Sequence, residues 1–191
     1  MKTIKELRTT LKFKPELVNG ELSYYANNVK LDFDVFLPSK SIYLQRNFCW
    51  SLLQKQQLIW SILMKRMIPP LAILRTTDDV YQVIDGKQRL SAMIDFYRNK
   101  FPLEIDGKDY YFKELPEEYQ VSIAGYFFTV YLVAEDYDIV FTDQDKINWF
   151  KFINFAGTPQ DIEHFNKLDS PKEENFKELI NEFLDNTDTN E

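Results

Sequence analysis

The feature that most constrains the fold is a run of punctuation in the middle of the chain. Pro69-Pro70 stops whatever precedes it, and Leu71 to Leu74 and Val80 to Ile84 are two apolar runs of strand length. Thr76-Thr77-Asp78-Asp79 between them is short and polar, the composition of a hairpin loop. Asp85-Gly86-Lys87-Gln88-Arg89 follows at once, and the apolar spacing then changes from strand-like to helical. Leu90, Met93, Ile94 and Tyr97 recur on one face of a helix expected from about Gln88 to Arg98. Hairpin, glycine loop and helix in this order predict an α+β domain with a small mixed sheet and flanking helices.

The surrounding chain fits that frame. Residues 1–14 carry a basic excess and read as a short helix or arm, while Asn19-Gly20 and Asn27-Asn28 read as turns. Val29 to Phe36 alternates loosely and predicts a strand that Pro38 ends, and Ser41 to Leu44 is short and extended. Ser51 is a good N-cap for a helix to about Arg66, with Leu52, Leu53, Ile59, Trp60, Ile62 and Leu63 on its apolar face. Asp106-Gly107 signals a second hairpin between Leu103–Ile105 and Tyr110–Phe112. A helix over Pro116 to Ile123, a strand over Phe127 to Val133 and a helix over Asp143 to Phe152 follow. Two more helices are expected near 160–168 and 173–184. The resulting division is an arm (1–28), a core (29–135), a helical extension (136–185) and an acidic tail (186–191).

Composition narrows the function classes. At 191 residues, 45% hydrophobic and 16% aromatic, the chain has enough apolar side chains to bury a core. A single cysteine, Cys49, excludes an internal disulfide and a cysteine-cluster zinc site; it reads as packing, since no histidine stands near it to activate it. A single histidine, His164, excludes a two-histidine metal motif and histidine-dependent nuclease chemistry within these residues, and it is given no role. No apolar run is long enough to span a bilayer and the first residues lack a signal-peptide core, so no membrane contact and a cytoplasmic location are expected. The net charge of −7 is unevenly spread. Lys40 to Lys100 holds ten Lys/Arg against four acids, while the rest of the chain after it holds seven Lys against twenty-one. A positive middle suits a polyanion, whereas the overall acidity argues against strong nonspecific DNA binding.

The glycine loop is where chemistry is expected. A helix that starts at a strand's end leaves amides without intrahelical partners, and these, with the helix dipole, favour an anion. Gly86 permits a sharp turn and close approach by phosphate. Arg89 offers a forked donor, Lys87 a second positive charge, and Gln88 an amide to bind a nucleotide or orient water. Asp85 can hold Mg²⁺ or orient a water. The plain alternative is a strand joined to a helix through a DG turn, with Arg89 in a surface salt bridge. Gln45-Arg46-Asn47-Phe48-Cys49-Trp50 is the second feature. There Arg46 is either a further phosphate or base contact, with Trp50 or Phe48 stacking, or the partner of an acid such as Asp85 with Trp50 as core. Asn154 with Gly157-Thr158-Pro159 is either a polar loop near the site or a helix C-cap.

Taken together, Leu44-Gln45-Arg46, Trp50, Gln57-Leu58-Ile59, Ile68-Pro69-Pro70 and Val83-Ile84-Asp85-Gly86-Lys87-Gln88-Arg89-Leu90 resemble the N-terminal domain of GmrSD-type modification-dependent restriction enzymes. Phe152-Ile153-Asn154 and Gly157-Thr158-Pro159 resemble that family's asparagine–glycine segment, and the likeness runs from about residue 30 to 170. The resemblance implies a single domain of the ParB/sulfiredoxin-like superfamily whose D-G-Q-Q-R loop binds and hydrolyses nucleoside triphosphates, coupled in related defence proteins to sensing modified DNA. Asp85, Gly86, Gln88 and Arg89 match the loop and Arg46 the upstream arginine; Lys87 stands where glutamine is usual. The implied catalytic residues are Asp85, Gln88 and Arg89, with Asp85 also the Mg²⁺ ligand. The implied nucleotide contacts are Gln45, Arg46, Gly86, Lys87, Gln88, Arg89 and Asn154. Lys87 favours phosphate binding over turnover. The histidine-dependent nuclease domain of the full enzymes is not in this chain, so a separate nuclease or other effector is the expected partner, besides nucleotide and DNA. The alternatives are a non-catalytic nucleotide- or DNA-binding accessory protein, and protein contact through the acidic helices after Asp143.

Overall fold

The computed structural model describes residues 13–136 and 138–155, Phe155 by its backbone alone. The chain divides into two units, Met1–Ile153 and Asn154–Glu191, and the first holds all of the architecture below except the end of its last helix. The expected helices near 160–168 and 173–184, His164, Gly157-Thr158-Pro159 and the tail lie outside the described residues, as does most of the basic arm.

The fold is mixed α+β, as its central junction predicts. Five strands form one sheet in the order β1 (Glu16–Glu21), β9 (Phe127–Ala134), β5 (Leu71–Arg75), β6 (Val80–Asp85) and β2 (Lys30–Asp32). β1 and β9 are antiparallel, β9 and β5 parallel, β5 and β6 antiparallel, and β6 and β2 parallel. Two ribbons stand apart, β3 (Phe36–Leu37) with β4 (Ile42–Tyr43), and β7 (Leu103–Ile105) with β8 (Lys108–Tyr110). The helices are α1 (Leu22–Asn28), α2 (Leu52–Leu63), α3 (Lys87–Tyr97), α4 (Glu117–Ala124) and α5 (Asp143–Phe155), with a 3₁₀ turn at Phe112–Glu114.

β5 explains why the sheet is central. Leu71, Ala72, Ile73 and Leu74 are all buried, so both sheet faces are covered there. Ala72, Leu74, Ile84 and Val133 pack with Phe141 and Trp149 on one face. Leu71 and Ile73 point to the other by the strand's alternation. The pairing slips between Ala72 and Ile73, where Ile84 is the extra residue on β6. Such a bulge re-aims the strand just before the glycine loop.

Several local expectations are corrected. Asn19-Gly20 is inside β1 rather than a turn. Gly20 is needed there because the rings of Phe128 and Tyr25 crowd it: a Cβ would lie 2.7 and 2.8 Å from them. The boundary expected at residue 28 therefore has strands of the same sheet on both sides of it, and Asn27-Asn28 ends a helix. The single strand expected over Val29 to Phe36 is broken into β2 and β3. Asp32 Oδ1 accepts the Asp34 N–H at 3.0 Å and turns the chain between them. The second hairpin closes tightly, with Asp106 and Gly107 both at positive φ, so Lys108 and not Tyr110 begins its return strand. Leu52 and Leu53 are exposed; the buried face of α2 is Leu58, Ile59, Trp60, Ile62 and Leu63. No helix among the described residues is long and apolar enough to cross a membrane.

Candidate functional site

β6 ends at Asp85 and α3 begins at Lys87, with Gly86 between them at φ +94°, ψ 16°. Leucine or alanine could not take that position freely, and a Cβ would also stand 2.3 Å from Leu71 Cδ2. Gly86 thus occupies the N-cap without a capping side chain. The first helical bond runs from the Leu90 N–H to the Gly86 carbonyl at 2.9 Å. The amides of Lys87, Gln88 and Arg89 come before it and have no carbonyl partner within the helix.

The three side chains of this first turn go in different directions. Arg89 Nη2 donates to Asp85 Oδ2 at 2.8 Å, both side chains being largely buried. Arg89 Nη1 also donates to the carbonyls of Pro69 and Pro70. Burial lowers the Arg89 pKa from its ordinary value, against the opposing pull of the Asp85 charge and hydrogen bond. Lys87 is 5% exposed and pairs with Asp34, whose side chain is 66% exposed. Gln88 reaches the chain ahead of α2: its Oε1 accepts from the N–H groups of Cys49 (2.9 Å) and Trp50 (3.3 Å), and its Nε2 donates to the Asn47 carbonyl (3.1 Å).

That chain segment is also tied at its other end. Gln45 Nε2 donates to the Val83 carbonyl of β6 at 2.6 Å. Arg46 lies between the two anchors, exposed, and nothing pairs with it among the described residues. A cavity of about 700 Å³ adjoins the loop. Lys87, Ser91 and Asp95 of α3 line it, with Arg98 at that helix's C-cap and Asp34 and Asn47.

The family model for the N-terminal domain of the GmrSD restriction endonuclease matches residues 28–191. The chain belongs to that family. No curated protein and no solved structure matches it.

Within this GmrSD N-terminal domain the expected site residues fall into two groups. Asp85, Gly86, Lys87, Gln88 and Arg89 form one turn, and hydrogen bonds bring Gln45 and the segment after Arg46 onto it. Asn154 falls in the last turn of α5, in the other unit. The open choice for Arg46 is decided against Asp85, whose partner is Arg89. The Arg89 bridge is not a surface pair, because both of its side chains are mostly enclosed. Cys49 is exposed rather than buried, since its N–H is held against the first turn of α3. Trp50 is half-buried, and the core tryptophans are Trp60 and Trp149.

No local sequence pattern points to Asp34. Its one signal is an acid bordering a basic stretch, which does not select a partner 53 residues away. For Mg²⁺, no cluster of three or more acidic, histidine or cysteine side chains exists among the described residues. Asp85 uses one oxygen on Arg89. A lone carboxylate fits Mg²⁺ in the way nucleotide sites usually do, with phosphate and water completing the octahedron.

Proposed function

We propose that this domain binds nucleoside triphosphates at the first turn of α3, and that it serves a restriction or phage-defence system as the family's name indicates. The observation that carries the reading is the Gln88 clamp. It holds residues 47–50 against an uncapped helix start, so the backbone that carries the exposed Arg46 is anchored on either side. An exposed arginine with no internal partner beside unpaired amides and a glycine turn is the chemistry of phosphate capture. Nearby, a polar cavity of a size common for small ligands offers room for the rest of the nucleotide.

For turnover, Asp85 is the group to orient the attacking water. Arg89 positions Asp85, because three of its contacts tie it to that carboxylate and to the Pro69-Pro70 backbone. Mg²⁺ bound by Asp85 and phosphate oxygens would supply charge neutralisation on the transferred phosphoryl group. DNA contact through the basic middle, and cleavage by a separate nuclease, complete the proposed role.

Calorimetry with ATP, GTP, CTP and UTP, with and without Mg²⁺, tests binding, and phosphate release tests turnover. Saturable binding of at least one triphosphate is expected, weakened in Arg46→Ala. Four flat titrations would sink the reading. A second reading, binding without turnover, is favoured by one observation: Asp85 and Lys87 are both held in internal ion pairs. Phosphate release no higher in wild type than in Asp85→Ala would select it.

A further inference from the structure

The ion pairs at the two ends of the glycine loop's first turn differ in one respect that points to regulation of the site. In Asp85–Arg89 the two side chains are 16% and 17% exposed, so neither can leave for water cheaply. In Lys87–Asp34 the lysine is 5% exposed and the aspartate 66%. Releasing Asp34 costs little, because water solvates it at once. Releasing Lys87 leaves a buried ammonium without a counter-ion, which is strongly unfavourable. The low-cost change is therefore an exchange in which Lys87 stays and another anion replaces Asp34.

The setting supplies both the anion's route and the restraint on Asp34. Lys87 and Asp34 line the same cavity, as do Arg98, which donates to the Ala26 carbonyl, and Lys100, which pairs with Asp95 of the same lining at 2.7 Å. Asp34 is held toward the lysine by Asp32, whose Oδ1 accepts the Asp34 N–H while its Oδ2 accepts from Gln82 Nε2 of β6 at 3.3 Å. Asp32 itself pairs with Gln82 in the sheet. The competitor carboxylate is thus delivered by the fold rather than by chance contact of two surface chains.

We propose that Asp34 is an intramolecular competitor for Lys87, and that a phosphate chain entering the cavity binds by displacing it. The proposal rests on the phosphate-binding reading above and adds a residue and a mode of control to it. It makes Lys87 the innermost phosphate ligand and sets ligand affinity by the strength of the Asp34 pair.

The test is a double-mutant cycle titrated with ATP and with inorganic tripolyphosphate at fixed ionic strength. Wild type, Asp34→Asn, Lys87→Gln and the double variant are compared, with circular dichroism melts confirming the fold and Lys87→Arg as a charge-keeping control. Asp34→Asn is expected to bind both ligands roughly 5- to 10-fold more tightly. That gain should vanish in the Lys87→Gln background and persist with Lys87→Arg. A gain that survives Lys87→Gln reports only the general loss of a negative charge and overturns the proposal, as does equal or weaker binding by Asp34→Asn. If ATP binds wild type and Asp34→Asn changes nothing, the competitor falls and the nucleotide reading stands. If tripolyphosphate shows the full cycle while no nucleotide binds, the competitor stands and the nucleotide reading falls. If neither ligand binds any of the proteins, both fall.

Discussion

Helix α2 starts at Ser51 with a complete capping box: Ser51 Oγ accepts from the Gln54 N–H at 3.3 Å, and Gln54 Oε1 accepts from the Ser51 N–H at 2.9 Å. Helix α3 starts at Gly86 with no capping side chain at all. The third residue of each helix shows the contrast best. In α2 it is Gln54, which turns back to finish its own helix end. In α3 it is Arg89, which turns away to Asp85, Pro69 and Pro70. The second residue of α3, Gln88, likewise spends its amide on the 47–50 segment. One end satisfies the Ser51 and Gln54 amides with its own side chains and leaves those of Leu52 and Leu53. The other leaves its amides open and uses its side chains to build walls around them. A missing cap costs about 1 kcal/mol, and the Gln88 and Arg89 bonds offset it from outside the helix.

The contrast breaks most directly at Gly86. Gly86→Ala forces a side chain into a left-handed backbone and against Leu71, which is buried in the sheet. Strain and overpacking together should cost about 2–4 kcal/mol, read as a lower midpoint in urea unfolding. Wild-type stability in this variant would mean that the glycine is not what keeps α3 uncapped.

Gln88→Ala is expected to come next. It strips the partner from two N–H groups and one carbonyl in the 47–50 segment, a loss of about 1–2 kcal/mol. The sharper readout is local: amide exchange should accelerate at Cys49 and Trp50 while α3 itself stays protected. Uniform loss of protection across both helices would show that Gln88 supports the core and not the site wall.

How much of this was readable beforehand follows from where each determinant lies in the chain. The β5–β6 hairpin, the glycine loop, the Ser51 cap and the Asp106-Gly107 turn are decided by residues within a few positions of one another, and their sequence signals hold. Asn19-Gly20 misleads because its glycine answers to the rings of Phe128 and Tyr25 and not to a turn. Two of the four pairings in the sheet are parallel and join strands far apart in sequence, which no local pattern encodes. That Asp85 to Arg89 share one turn between strand and helix is legible in the sequence. Their partners are not, because Asn47, Asp34 and the Pro69 carbonyl reach them only through the tertiary fold.

At α2, Ser51→Ala should remove about 1 kcal/mol of stability and leave tripolyphosphate affinity unchanged, since that helix end is closed on itself.

Arg46→Ala reverses the pattern, and it is the smallest of the four effects on stability. Arg46 is exposed and has no partner among the described residues, so its removal should change unfolding free energy by no more than about 0.5 kcal/mol. Its value lies in what the anchors around it accomplish. Gln45 is tied to β6 and Asn47 to Gln88, so the backbone that carries Arg46 is held beside the loop, and a ligand has only its side chain left to order. Affinity for tripolyphosphate should therefore fall several-fold in Arg46→Ala with the melting curve superimposable on wild type. Ser51→Ala and Arg46→Ala then form a crossed pair, one losing stability without affinity and the other affinity without stability. An Arg46→Ala protein that melts early but binds normally would place the arginine on the structural side of the comparison and shift the anion's donors to the α3 amides and Lys87.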